Sequence, residues 1–134
     1  MHSSSRPHIL SVEDHPDVRD ILHELLQGPY DLTLASSAEE ALRLLGDKAV
    51  SLFLLDIRLG HGRSGVELLR ALRDLGPATD VPAVALTTYG MKGDREALLE
   101  AGFDGYVSKP FTKAELIGAI DRALAGPAPT SGRS

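Results

Sequence analysis

The stretch Ser51-Leu52-Phe53-Leu54-Leu55-Asp56-Ile57-Arg58-Leu59-Gly60 runs through four consecutive apolar residues and stops on a carboxylate. Apolar residues without alternation read as a strand buried on both faces, the kind found in a parallel sheet covered by helices. A carboxylate at the C-terminal end of such a strand lies where open α/β sheets hold their ligands. Taken alone, Asp56 is better explained as the cap of the turn that follows, a place Asp favours. Its neighbours in the chain bear on the choice.

Upstream, His8–Val12 is a short apolar segment ending in Glu13-Asp14. Asp17–Gln27 carries Val18, Ile21, Leu22, Leu25 and Leu26 at helical spacing, with Pro16 suited to the first turn and Gly28-Pro29 ending it. Asp31–Ala35 reads as a second strand. Ser37 and Glu40 have the spacing of a capping box ahead of Ala41, Leu42, Leu44 and Leu45. The quoted stretch supplies the third strand, Val50–Leu55.

Downstream, a glycine-rich loop leads to a helix over Gly65–Leu75, which Gly76-Pro77 stops. Val81–Thr87 is a nearly continuous apolar strand, with Pro82 near its start where proline is tolerated. Asp94–Ala101 is a shorter helix closing on Gly102. Gly105–Ser108 is the last strand and Lys109-Pro110 follows it. Thr112 and Glu115 make another capping box before Leu116, Ile117, Ile120 and Leu124. Five strands alternating with five helices predict an α/β domain: a doubly wound, three-layer parallel sheet with right-handed crossovers.

Bulk composition narrows the function. The chain has 134 residues, 43% hydrophobic and 25% charged, as in a single globular domain. Residues 8–125 are expected to form it, with residues 1–7 and 126–134 as disordered tails. A net charge of −5 argues against DNA binding, which needs clustered Lys and Arg. The absence of cysteine excludes disulfides and thiolate chemistry and suits a cytoplasmic setting. No apolar run reaches the ~18 residues of a membrane span, and the first residues, Met1–Pro7, lack the apolar segment of a signal peptide.

The polar residues fall in a pattern. In a parallel sheet the ends carrying Glu13-Asp14, Asp56, Thr87-Thr88 and Lys109 line one edge. Three clustered carboxylates repel one another unless a cation intervenes, and Mg²⁺ suits a site with few protein oxygens and several waters. That ion and Lys109 would flank Asp56 with positive charge, the setting needed to transfer a phosphoryl group onto a carboxylate oxygen. Thr87 could donate a hydrogen bond to a phosphoryl oxygen. Each residue also has a plainer reading: helix-dipole acids for Glu13 and Asp14, a solvated lysine, an ordinary strand threonine. Their joint placement favours the site.

From about His8 to Leu124 this set of motifs resembles the CheY-like receiver domain of two-component response regulators. The resemblance implies the flavodoxin-like strand order 2-1-3-4-5. It further implies Asp56 as phosphoacceptor, and Mg²⁺ (or Mn²⁺) held by Asp14, Asp56 and the Arg58 backbone carbonyl, with Glu13 acting largely through water. Lys109 would contact the phosphoryl group, the bond before Pro110 would be cis, and Thr87 with Tyr106 would form the switch pair. The plainer reading of Tyr106 is a half-buried packing residue with a wet hydroxyl. The implied partners are a histidine kinase or histidine phosphotransfer protein, and a downstream protein docking on the fourth helix, fifth strand and fifth helix. Such a domain modifies itself and turns over no external substrate.

The chain also departs from the family pattern. Gly60 stands where a proline is usual, and the loop Leu59–Gly65 is one residue longer. His61 in that loop reads as solvated, since no spacing among the five histidines suggests a metal cluster. Thr88 replaces a small residue and could narrow access to Asp56. A phosphohydrolase of the haloacid dehalogenase kind would need a second Asp two residues after Asp56, where Arg58 stands. A receiver-like module that has lost phosphorylation would not need all the acids and Lys109. Arg58 and Tyr89 occupy positions that tune phosphoryl lifetime in relatives, and their bulk should shield an acyl phosphate from water. Arg58→Ala and Tyr89→Ala are therefore expected to lose phosphoryl groups faster than wild type; unchanged or slower loss refutes the shielding.

Overall fold

A computed structural model describes residues 6–45, 49–58, 64–74, 80–88 and 92–126, the helical segment 92–95 by its backbone alone. Its elements alternate strictly: β1 (His8–Val12), α1 (Pro16–Leu26), β2 (Asp31–Ala35), α2 (Ala38–Leu45), β3 (Leu52–Asp56), α3 (Gly65–Arg73), β4 (Ala83–Thr87), α4 (Lys92–Ala101), β5 (Gly105–Ser108) and α5 (Lys113–Ala125). The strands form one sheet in the order β2-β1-β3-β4-β5, and every pairing is parallel. The doubly wound architecture and its strand order are as expected from the sequence.

The unbroken apolar runs are explained by the two cores. Side chains alternate across a strand, so Leu10, Val12, Phe53, Leu55, Ala83 and Ala85 pack with α2, α3 and α4 through Ala41, Leu69, Leu72 and Leu98. Ile9, Leu52, Leu54, Val84, Leu86 and Val107 face the other way, onto Leu22 and Leu26 of α1 and Leu116 and Ile120 of α5. Every residue of β3 and β4 is buried. The buried stripe of α1 is Leu22 and Leu26, flanked by Val18 and Leu25. Ile21, expected in that stripe, is 47% exposed, because it sits about 100° around the helix from Leu22.

Local signals place the element ends. Thr112 Oγ1 accepts from the Glu115 amide while the Glu115 carboxylate accepts from the Thr112 amide, the expected capping box of α5. At α2 only half of the expected box forms. Ser37 Oγ accepts from the Glu40 amide at 3.0 Å, but the Glu40 carboxylate takes the amide and hydroxyl of Ser36 instead. A reciprocal box that the sequence reading missed joins Ser64 and Glu67 at the start of α3. The end of α4 is a Schellman motif. Gly102 has φ +106°, its amide donates to Leu99, and the Phe103 amide donates to Leu98. Phe103 and Leu98 are then buried in the same core.

Phe103 thus both closes α4 and fills the core. Phe103→Ala is expected to cost about 3–5 kcal/mol, seen as a lower denaturant midpoint with an unchanged m-value.

Candidate functional site

The register carries the polar residues to one edge. Val12 lies beside Leu55 and Asp56 beside Leu86. Backbone bonds extend the ladder past the strands: the Glu13 amide donates to Ala35, the Ile57 amide to Leu86, and the Lys109 amide to Thr87. Glu13, Asp14, Asp56, Thr87 and Lys109 therefore share the C-terminal edge of the sheet, where the sequence pattern put them.

Three of these residues are buried together. Glu13 is fully buried, and Asp56 and Thr87 are each 3% exposed. Lys109 Nζ donates to Glu13 Oε1 at 2.8 Å and lies 3.4 Å from Asp56 Oδ2. Asp56 Oδ1 accepts from the Arg58 amide at 3.0 Å. Asp56 Oδ2, although buried, accepts no hydrogen bond, and neither does Asp14 Oδ1. His15 closes the group on the outer side: Nδ1 is 2.9 Å from Glu13 Oε2 and 3.1 Å from Asp14 Oδ1. Arg19 donates to the Glu13 carbonyl at 2.8 Å and ties the loop to α1.

One ammonium among several acids sets the electrostatics. Burial alone would raise the Glu13 carboxyl, but hydrogen bonds from Lys109 and His15 outweigh it and hold the group below its ordinary range. Burial and the Glu13 charge push the Asp56 carboxyl up, from 3.8 to about 6. The His15 imidazole is raised by its hydrogen bond to Glu13 and by the Asp14 charge.

The connection after β3 is held close to Asp56. The Gly65 amide donates to the Ile57 carbonyl at 2.9 Å, and Arg58 bridges to Ser64. A Cβ on Gly65 would stand 2.4 Å from the Asp56 carbonyl oxygen, so only glycine lets α3 begin this close. Arg58 itself is exposed, as is Thr88 just past β4. Residues 59–63, including His61, and Tyr89 lie outside the described residues, as do the tails at 1–5 and 127–134.

The other expected residues lie nearby or on the adjoining face. The Lys109–Pro110 bond is cis. Tyr106 stands on β5 beside Ala85, 38% exposed. It lines a groove of about 470 Å³ with Pro110, Ala114, Glu115 and Arg122.

Chemically the edge suits a divalent cation. Glu13, Asp14, His15 and Asp56 each offer a donor atom, and those atoms lie within 4.8 Å of one another. Two of the carboxylate oxygens, on Asp14 and Asp56, are buried with no hydrogen bond to satisfy them. Unsatisfied buried oxygens of this kind are costly, and a divalent ion would relieve them. The sequence reading missed His15, Arg19 and Gly65 as parts of this edge. The signal for His15 is its place directly after two acids.

Comparison with known proteins agrees with this geometry. The family described as the response regulator receiver domain matches residues 9–121. An uncharacterized 14.6 kDa protein of Leptolyngbya boryana is 36% identical over 123 residues, covering 91% of this chain and 93% of that protein. The transcriptional regulatory protein CpxR of Escherichia coli is 36% identical over 117 residues, 87% of this chain, and the chain spans 48% of that longer relative. Among solved structures, the receiver domain of the sensor histidine kinase PA1611 from Pseudomonas aeruginosa, described with a magnesium ion coordinated in its active-site cleft, superposes with TM-score 0.79 at 32% identity. The match covers 90% of this chain and 99% of that one.

Because the fold raises the Asp56 carboxyl, its charged form is penalised only in the folded state. Stability of the metal-free protein should fall as pH rises from about 4 to about 6 on this account. Asp56→Asn removes the penalty. In chelator at pH 8 it is expected to stabilise the protein by about 3 kcal/mol, and the gain should vanish below pH 4, as read by denaturant titration.

Proposed function

The chain belongs to the response regulator receiver domain family of two-component signalling, and from that membership we propose that it is a switch phosphorylated on Asp56. The observation that carries this reading is the buried Asp56 Oδ2, which accepts no hydrogen bond and has the Lys109 ammonium 3.4 Å away. An anionic oxygen held beside a fixed cation, with its own lone pairs free, is a nucleophile toward phosphorus.

The donor on this reading is a phosphohistidine of a kinase or phosphotransfer protein. Asp56 Oδ2 attacks phosphorus, the P–N bond breaks, and the departing imidazole nitrogen keeps the electron pair and takes a proton. Lys109 neutralises the charge on the phosphoryl oxygens, and the Thr87 hydroxyl donates to one of them. The Arg58 amide on Oδ1 keeps the carboxylate turned so that Oδ2 is the attacking atom. Hydrolysis of the acyl phosphate later restores the carboxylate, so the domain acts on itself rather than turning over an external substrate.

Asp14, Asp56 and the Arg58 backbone carbonyl would hold Mg²⁺, or Mn²⁺ in its place, with Glu13 acting largely through water. When bound, the ion supplies charge neutralisation for the incoming phosphoryl oxygens. The unsatisfied Asp14 oxygen supports that assignment, as does the magnesium described for the PA1611 receiver.

Phosphorylation would bias an existing two-state equilibrium. Thr87 would move toward the phosphoryl group and the exposed Tyr106 ring would turn inward, altering the α4-β5-α5 face that a downstream protein reads. Arg58, Thr88 and Tyr89 would govern access of water to the product. We place the domain at residues 8–125, in the cytoplasm and without DNA binding of its own. Among the described residues no helix is long and apolar enough to cross a membrane.

Acetyl phosphate with Mg²⁺ provides the test. Intact-mass measurement should show an adduct of phosphoryl mass on wild type and none on Asp56→Asn. No adduct on wild type would identify a silent receiver-like module, and rapid turnover of an added phosphate ester would identify a hydrolase.

A further inference from the structure

His15 is unusual among the residues of the acidic edge because it brings nitrogen to it. Its Nδ1 lies 2.9 Å from Glu13 Oε2 and 3.1 Å from Asp14 Oδ1. Donors bound about 2.1 Å from one metal ion and at right angles are about 3 Å apart, so these spacings match the edge of a coordination polyhedron. Asp56, 3% exposed, turns an oxygen with no hydrogen bond into the same group. All four donor atoms lie within 4.8 Å of one another. His15 precedes α1 without making a capping bond, its Nδ1 hydrogen-bonds Glu13, and its side chain is 65% exposed.

We propose that His15 is a metal ligand of this site, and that through it the site takes an imidazole-seeking transition dication such as Ni²⁺ or Zn²⁺ in preference to Mg²⁺. The chemistry of the donors separates the ions. Mg²⁺ is hard, prefers oxygen and keeps its waters. Ni²⁺ and Zn²⁺ accept imidazole readily and bind mixed nitrogen and oxygen donors more tightly. Carboxylates bind both kinds of ion; an imidazole added to them strengthens binding of the borderline ion and does little for the hard one. Such an ion would occupy the position that Mg²⁺ needs, so the site would sense transition metals by competition. The inference rests on the reading of the edge as a cation site, and not on phosphorylation of Asp56.

Calorimetric titration of the full chain with Ni²⁺, and separately with Mg²⁺, tests it in wild type, His15→Ala and Asp14→Asn. Wild type should bind Ni²⁺ at least tenfold more tightly than Mg²⁺. His15→Ala should weaken Ni²⁺ binding by about tenfold or more and leave Mg²⁺ affinity within about twofold. Asp14→Asn should weaken both. Unchanged Ni²⁺ affinity in His15→Ala overturns the proposal, and so does equal weakening of the two ions, which would make His15 a positioning residue acting through Glu13. Ni²⁺ binding that survives Asp14→Asn places the ion on another histidine and overturns it too. If wild type binds neither ion, the cation site itself fails, while the mass measurement on Asp56 still judges the phosphoacceptor separately. Circular dichroism of each variant guards against loss of the fold.

Discussion

Lys109 Nζ stands between two buried carboxylates, 2.8 Å from Glu13 and 3.4 Å from Asp56. Without that ammonium the C-terminal edge of the sheet would hold like charges in a poorly solvated place, with nothing to offset the cost of removing them from water. The offset is unequal. Lys109 makes its hydrogen bond to Glu13, so Glu13 stays low and Asp56 carries the strain of the group. An acid that is buried, raised and short of partners is poised to be relieved by a cation or by chemistry on its own oxygen. The frame that holds it so is stiff: β3 and β4 are buried along their whole length, and the Arg58 amide fixes one oxygen.

The rest of the fold can be understood as what aligns this edge. Parallel pairing puts all five C-terminal strand ends on one side, and the ladder runs on through Glu13, Ile57 and Lys109. The opposite edge is held by polar ties. His8 bonds with its ring nitrogens to the Ala49 carbonyl and Thr33 Oγ1, and with its amide to Ser51 Oγ. Farther along, Asp104 brackets the start of β4, accepting from the Ala83 amide and donating to its carbonyl. Tyr30 reaches across from the turn before β2 to Asp121 on α5 at 2.6 Å. These ties sit away from the edge that carries Glu13, Asp56 and Lys109.

Element type and order were legible because burial leaves a period in the sequence. The strands of the sheet centre read as unbroken apolar runs, and the helices as stripes three and four apart. The errors came where two local choices compete. Glu40 had an amide and a hydroxyl on Ser36 within reach, so it left the amide of Ser37. Ser64 and Glu67 had the same spacing, but Ser64 stood at the end of a loop read as glycine-rich. Asp56 is the last residue of β3 rather than the first beyond it, and its carboxylate also caps the turn that follows, accepting from the Arg58 amide two residues on.

Sequence alone determined the layers, the strand alternation and which polar residues end the strands, since all of these follow from local periodicity. Tertiary structure decided who touches whom. Glu13 and Lys109 are 96 residues apart, and nothing in either neighbourhood says that the lysine bonds the glutamate more closely than the aspartate. The same holds for Gly65, whose lack of a side chain matters only because α3 starts against the Asp56 carbonyl. His15 follows two acids in the chain, but only the turn out of β1 brings its Nδ1 within 3.1 Å of both carboxylates. Contacts of this kind depend on strand register and loop geometry, and periodicity carries neither.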